Sequence, residues 1–328
     1  MKLACLTCLS LLLLASPALA DTAPVCAGRD LTLDPSVKPD FAAHPDEAIN
    51  GEGLLWKIEK PGLAPSYLYG TMHSTNAAAI ALAQRAAVEI DGAKSVATEL
   101  GGPFDSARKL DLGAGMLKAA LSPGEDTFAR MMSKTDAEAV DAFLATRGFP
   151  SQMTHHLKLW FVAASIGLPK CEVEGERLGL TEVDQMIAQI GRDHGLPVVG
   201  LETIEEQTKT LASVPDALAA ELLVASAKAP NLNDDGYATL LSLYLQKRPS
   251  AAIAVLDAVP GLTKEQRDAE VEFTRLLLVG RNEIMMARAA PLLDKGGAFI
   301  AVGAFHLTGK NGLIELARAA GYRVTKVW

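Results

Sequence analysis

Apolar positions fall along the chain in two rhythms. Near the N-terminal third, "LLWKIEK" and "SYLYGT" are short alternating or continuous apolar runs on either side of "PGLAP", which predicts two strands joined by a turn. "AAAIALAQRAAVEIDG" then has helical composition with Gly92 as its stop, and "AKSVATEL" reads as a further strand. Strand, helix, strand is a crossover unit and favours parallel pairing.

The pattern next turns helical for a long stretch. From about 105 to 170, Ala, Leu and Met recur at irregular helix spacing, which predicts a helical insertion or cap. At Thr181 the signals sharpen: Thr181 with Asp184 matches a capping box, "EVDQMIAQIGRDH" has helical spacing, Gly195 ends it, and "LPVVGLE" reads as a buried strand. Helices return from about 205 to 260, broken at "APNLNDDG" and "KRPS". Thr263 with Gln266 forms a second capping box and opens a long helix that runs past Gly280 to "APLL". The chain closes with "GAFIAVGA" as strand, "NGLIELARAAG" as helix and "YRVTKVW" as strand. These elements predict an α/β fold with a mainly parallel central sheet, flanking helices and large helical insertions.

The first twenty residues change the picture of where the protein works. "MKLACLTCLSLLLLASPALA" places a lysine before a leucine-rich run and ends on a small-x-small site, the pattern of a signal peptide, so the mature domain is expected to begin near Asp21 and run to 328. Cys5 and Cys8 have redox-motif spacing but leave with the leader. The remaining pair, Cys26 and Cys171, would sit in an oxidising compartment, where an even count favours a disulfide over a buried thiol pair. No later apolar run reaches the roughly 18 residues of a membrane span. A formal charge of −8 with no basic cluster argues against a nucleic-acid partner. The expected setting is periplasmic or secreted.

Candidate chemistry emerges at the carboxyl ends of the predicted strands. "SYLYG" delivers His73, "KSVAT" delivers Glu99, "LPVVGL" delivers Glu202 and "AFIAVG" delivers His306. Ligands of open parallel sheets collect outside those ends. Two imidazoles and two carboxylates suit zinc, manganese, iron or cobalt, and a bound cation can bring the pKa of its water down to about 7. A carboxylate not engaged by metal would be free to act as general base. Gly70 and Gly303, each three residues before a histidine, are expected to let the backbone turn sharply there. Neither GxxH is specific alone; the pair at matched strand ends, among six histidines, carries the signal. The structural alternative is that the histidines are hydrogen-bonded scaffold and the glutamates cap following helices.

Other candidates rank lower. His155 and His156 fall beside Trp160 in a predicted helix, where adjacent residues face different ways. His44 lies in a loose arm, and His194 sits at a helix end, where a cation suits the dipole. "GAFHLTGKNG" departs from the phosphate-loop pattern, with Asn311 where a hydroxyl would hold magnesium, and neither HExxH nor GxSxG occurs. Arg281 and Asn282 interrupt an apolar helical stretch; they face solvent or reach the site as a polar pair.

Taken together, "LLWKIEKPGLAPSYLYGTMHS", "VATEL", "GLPVVGLETIEEQ", "GRNEIMMARAAPLL" and "AVGAFHLTGKNGLIELARAAGYRVTKVW" resemble the TraB/GumN family, whose relatives include the Tiki proteases and, more distantly, the erythromycin-esterase and ChaN-like proteins. The resemblance implies an EreA/ChaN-like core in one domain with the helical insertions, and a divalent-metal-dependent hydrolase proposed to be a protease. It carries over onto Gly70 and His73, Glu99, Glu202, Arg281 and Asn282, and Gly303 and His306. On it, His73 and His306 are expected as metal ligands, Glu99 as ligand or base, Glu202 as ligand or outer partner, and Arg281 as the cation facing oxyanion charge. The substrate is then a peptide or another amide or ester. A metal- or haem-handling binding protein and an inactive interaction protein are the other functions such a scaffold allows.

Overall fold

Six strands build one sheet: β1 (Leu55–Glu59), β2 (Ser66–Thr71), β3 (Ser95–Thr98), β4 (Val198–Gly200), β5 (Ala298–Gly303) and β6 (Arg323–Lys326). The computed structural model describes residues 24–102 and 106–328, over 106–112 the backbone alone. The leader expected over 1–20, with Cys5, Cys8 and the expected start at Asp21, lies outside the described residues.

Across the sheet the order is β4-β3-β5-β2-β1-β6. The β2–β5, β5–β3 and β3–β4 pairings are parallel, while β1 is antiparallel to both β2 and β6. The short "PGLAP" connection forces the antiparallel pairing, since parallel neighbours need a long crossover. The helix Ala77–Ala87 supplies such a crossover between β2 and β3 but leaves a one-strand gap between them. Strand β5 fills it, with Ala301 facing Tyr69 on one side and Thr98 on the other. Being central, β5 is buried almost throughout, as its unbroken apolar run requires.

The expected strand in "LPVVGLE" is present but is not buried. β4 is a three-residue edge strand whose residues are half-buried. An edge strand presents only one side to a neighbour, and its apolar composition reflects packing under the helix Val183–Asp193 rather than enclosure.

Helix boundaries follow their caps in two places and depart in one. Thr263 and Gln266 form the expected capping box of the long helix Lys264–Leu293, and Thr203 with Glu206 forms another at Ile204–Ala212. Thr181 and Asp184 do not: the helix Val183–Asp193 has Glu182 at its N-cap with no side-chain cap bond, which puts Asp184 one position too early for the box, and its carboxylate accepts from Thr71 Oγ1. Gly195, at φ +70°, ends that helix as expected.

The two helical stretches expected as separate insertions share one core. Phe128, Leu144 and Trp160 from the first pack with Val214, Leu223 and Val224 from the second. Cys26 and Cys171 stand at disulfide distance, with Cα atoms 5.1 Å apart, and tie the N-terminal arm to the start of the helix Lys170–Arg177. Among the described residues no single helix is long and apolar enough to cross a membrane.

Candidate functional site

The strand order sets which tips are neighbours. Glu202 follows β4, Glu99 follows β3, His306 follows β5 and His73 follows β2, so four segments far apart in sequence meet along one edge of the sheet. The long helix Lys264–Leu293 crosses the same end and contributes Arg281 and Asn282.

Arg281 is the centre of the polar network. Its Nη2 donates to Glu99 Oε2 at 2.7 Å and also to Glu202 Oε1, and its Nε donates to Glu202 Oε2 at 3.0 Å. Gln207 Nε2 adds bonds to Glu202 Oε1 at 2.8 Å and to Glu99 Oε2 at 3.3 Å. Both carboxylates are buried, so a guanidinium shared between them is what makes two anions tolerable there. Burial opposes the Arg281 charge, but Glu202 and Glu99 outweigh it and raise its pKa further.

Glu99 Oε1 takes a different set of partners. It accepts from the Gly303 amide at 2.8 Å and lies 3.7 Å from His306 Nε2. Burial works against ionisation of Glu99, yet His306, His73, Arg281 and the Gly303 amide hold its pKa well below the usual carboxylate range. His306 goes the other way. Burial, with Arg281 and His73, pushes it down to about 4, so the ring is neutral at physiological pH. Its Nδ1 is 2.6 Å from Asn282 Oδ1, and Asn282 Nδ2 donates to the Asn311 carbonyl at 2.9 Å. The amide orientation that satisfies Asn311 makes Oδ1 the acceptor, which places the proton on Nδ1 and the lone pair on Nε2 facing Glu99.

His73 stands apart from this buried layer. Its side chain is 55% exposed, and Nδ1 lies 3.4 Å from Asp184 Oδ2 and 4.0 Å from Glu182 Oε2. Thr71 Oγ1 donates to Asp184 Oδ1 at 2.8 Å, fixing the carboxylate beside the ring. Desolvation of the side of the ring that faces the cleft opposes its charge, but Asp184, Glu99 and Glu182 overcome it and raise the His73 pKa. Glu182 is itself raised to about 8 by burial and by the neighbouring Glu176, against the pull of His73.

His73, Glu99, Glu182, Asp184, Gln207 and Arg281 line one cleft of about 260 Å³, with Leu100, Leu211 and Leu277 as its apolar wall. His306, Asn282 and Glu202 are buried and do not line it. The expected residues therefore assemble at one end of the sheet in two layers rather than on a single surface.

The two glycines act differently from the expectation. Neither has positive φ, and Gly303 sits at φ −47° and ψ 135°. What they supply is space: a Cβ on Gly70 would lie 3.0 Å from Ala304 Cα, and one on Gly303 would lie 3.2 Å from Glu99 Oε1. A left-handed backbone is found after β3 rather than at either of these, at Gly101 with φ +62°, where a Cβ would come within 2.1 Å of the Gly200 amide nitrogen.

Sequence reasoning missed Asp184, Glu182, Gln207 and Thr71. Asp184 looked like a helix cap, and only the proximity of β2 to the helix start reveals its other partner. The remaining histidines are engaged elsewhere. His155 lies at the end of a short helical turn between Asp126 and Asp141, His156 is exposed, His194 pairs with Asp91 at its helix end, and His44 pairs with Asp257.

The donor set can be weighed against a divalent ion. A neutral His306 with its Nε2 lone pair turned toward a carboxylate oxygen, no proton between them, is in kind an arrangement that a cation would complete. Glu202 is a poorer donor, its oxygens being taken by Arg281 and Gln207. Among the described residues, no three His, Cys, Asp or Glu side chains already enclose one point as a metal group does.

A mixed α/β sheet whose parallel strands end in a polar, charge-paired cleft defines the structural class. Within it, the chain belongs to the TraB/PrgY/gumN family, whose model matches residues 54–326, nearly the whole chain. No curated protein and no solved structure matches the chain.

Proposed function

We propose that this protein is an exported, divalent-metal-dependent hydrolase, a peptidase or an enzyme of related amides or esters, with its active centre at the carboxyl ends of β2, β3, β4 and β5. The observation that carries this proposal is the convergence of His73, Glu99 and Arg281 on one cleft, with His306 and Glu202 directly bonded or paired to the same network. On the same proposal the core is of the EreA/ChaN-like kind, in a single domain over 21–328 whose helical stretches wall the cleft. The Cys26–Cys171 pair is compatible with export. Neither a nucleic-acid partner nor a membrane span after leader cleavage is part of the proposal.

His73, Glu99 and His306 would hold the ion, which when bound supplies Lewis acidity and a lowered pKa for water. The chain's own groups divide the remaining work. Asn282 keeps the proton of His306 on Nδ1 and so keeps Nε2 available. Glu202 and Gln207 aim Arg281 at the cleft, where its fixed charge would stabilise a developing oxyanion. Glu99 stays ionised. Asp184, fixed by Thr71, lies beside Nδ1 of His73 and would orient the ring so that Nε2 is left for the ion.

Hydrolysis is tested by incubating the purified protein with a mixed peptide pool in ¹⁸O-water and reading new carboxyl termini by mass spectrometry. The expected result is label-bearing products that a chelator suppresses and that His73→Ala abolishes. Bound metal with no products from any pool would support a binding protein instead, and products unaffected by His73→Ala would contradict the assignment.

A further inference from the structure

The loop that carries His73 is gripped from beneath by a residue no part of the proposed chemistry uses. Glu172 is buried, in the first turn of the helix Lys170–Arg177. Its Oε1 accepts from Ser74 Oγ at 2.9 Å and from the Tyr237 hydroxyl, and its Oε2 accepts from the Thr75 amide at 2.7 Å and Thr75 Oγ1 at 2.8 Å. Ser74 and Thr75 are the two residues that follow His73. Among the described residues no ion pair is made by Glu172, and its carboxyl group is met by neutral donors alone, three of them on this loop.

A buried carboxylate without a cationic partner is a costly way to fill space. Apolar packing would hold the helix against the loop at least as well. What a carboxylate adds is direction, because two oxygens accepting from the backbone amide and both hydroxyls fix the orientation of consecutive residues at once. Two further contacts press the same segment. The helix meets the loop at Gly175, where a Cβ would lie 2.7 Å from Thr75 Oγ1, and the Val183 amide donates to the Ser74 carbonyl at 3.2 Å. That second bond couples the loop to the helix bearing Asp184, the other partner of His73. Cys171, next to Glu172, is tied to Cys26, so the clamp stands on a cross-linked base.

We propose that Glu172 is a positioning residue for His73: it holds the Ser74–Thr75 turn so that the imidazole faces Asp184 and the cleft. This rests on the hydrolase proposal only in giving His73 a catalytic purpose; the clamp itself is read without turnover. Glu172→Gln is compared with wild type by imidazole ¹H–¹⁵N long-range spectra at one pH. The expected result is that the His73 ring signals shift or broaden while those of His155 and His194, which are held by other groups, keep their positions. Where turnover is measurable, kcat should fall about 10- to 100-fold, the range for lost outer partners, with KM changed much less. Unmoved His73 signals in a folded Glu172→Gln protein would overturn the proposal. Should that variant not fold, Tyr237→Phe and Gly175→Ala perturb the same clamp from two sides, and unchanged His73 signals in both would overturn it equally. Absence of any hydrolysis by wild type would count against the function and leave the spectral result to decide the clamp.

Discussion

At the residue scale, Arg281 is the side chain on which the buried layer depends. Removing it leaves Glu99 and Glu202 buried without their cation, and breaking a buried pair in this way costs about 3–5 kcal/mol. Arg281→Met should therefore lower stability by that order in denaturant unfolding, and adding Glu202→Gln should recover part of it; an unchanged midpoint for the single variant would contradict the network. His155 offers a test of sign. Burial opposes its charge, but Asp126 and Asp141 raise its pKa above 6.5 in the folded state. A raised folded value gives stabilisation that is full below pH about 6.5 and is lost as pH rises through the folded-state value. The stability gap between wild type and His155→Gln should thus be wider at mildly acidic pH than at alkaline pH, as thermal melts across pH would show. His73, Glu99, Glu202 and His306 were legible because strand ends are readable from apolar runs. Asp184 and Glu172 were not, since an acid in a first helical turn looks the same whether it caps the helix or reaches another segment.

At the scale of elements, the sheet's central strand comes from the far end of the chain, which local patterns cannot reveal. The sequence marks β5 as a strand but not as the one inserted between β2 and β3. The glycines illustrate a related blind spot: GxxH is visible in one dimension, yet the need for glycine is set by Ala304 across the β2–β5 interface. Gly70→Ala should cost about 1–3 kcal/mol by overpacking and disturb the turn that carries His306, read as a lower melting temperature. The disulfide closes a separation of 145 residues. Reducing it, or substituting Cys171→Ala, should cost about 2–5 kcal/mol, and a melting temperature insensitive to reductant would show that the pair is not bonded in solution.

At the scale of the molecule, the helical stretches expected as insertions pack into one shared core and bring Leu211 to the cleft wall, where the long helix Lys264–Leu293 adds Leu277. The class of fold and the line of strand tips could be anticipated from the sequence. The two-layer arrangement, with Glu202 and His306 beneath the cleft and His73 on its surface, required three dimensions. The claim that joins these scales is that the two imidazoles and Glu99 serve one ion-holding centre. Elemental analysis of the purified protein, alongside the His73→Ala, His306→Ala double variant, tests it most directly. The account predicts a stoichiometric divalent metal in wild type that is absent from the folded variant; equal metal content in the two would contradict it.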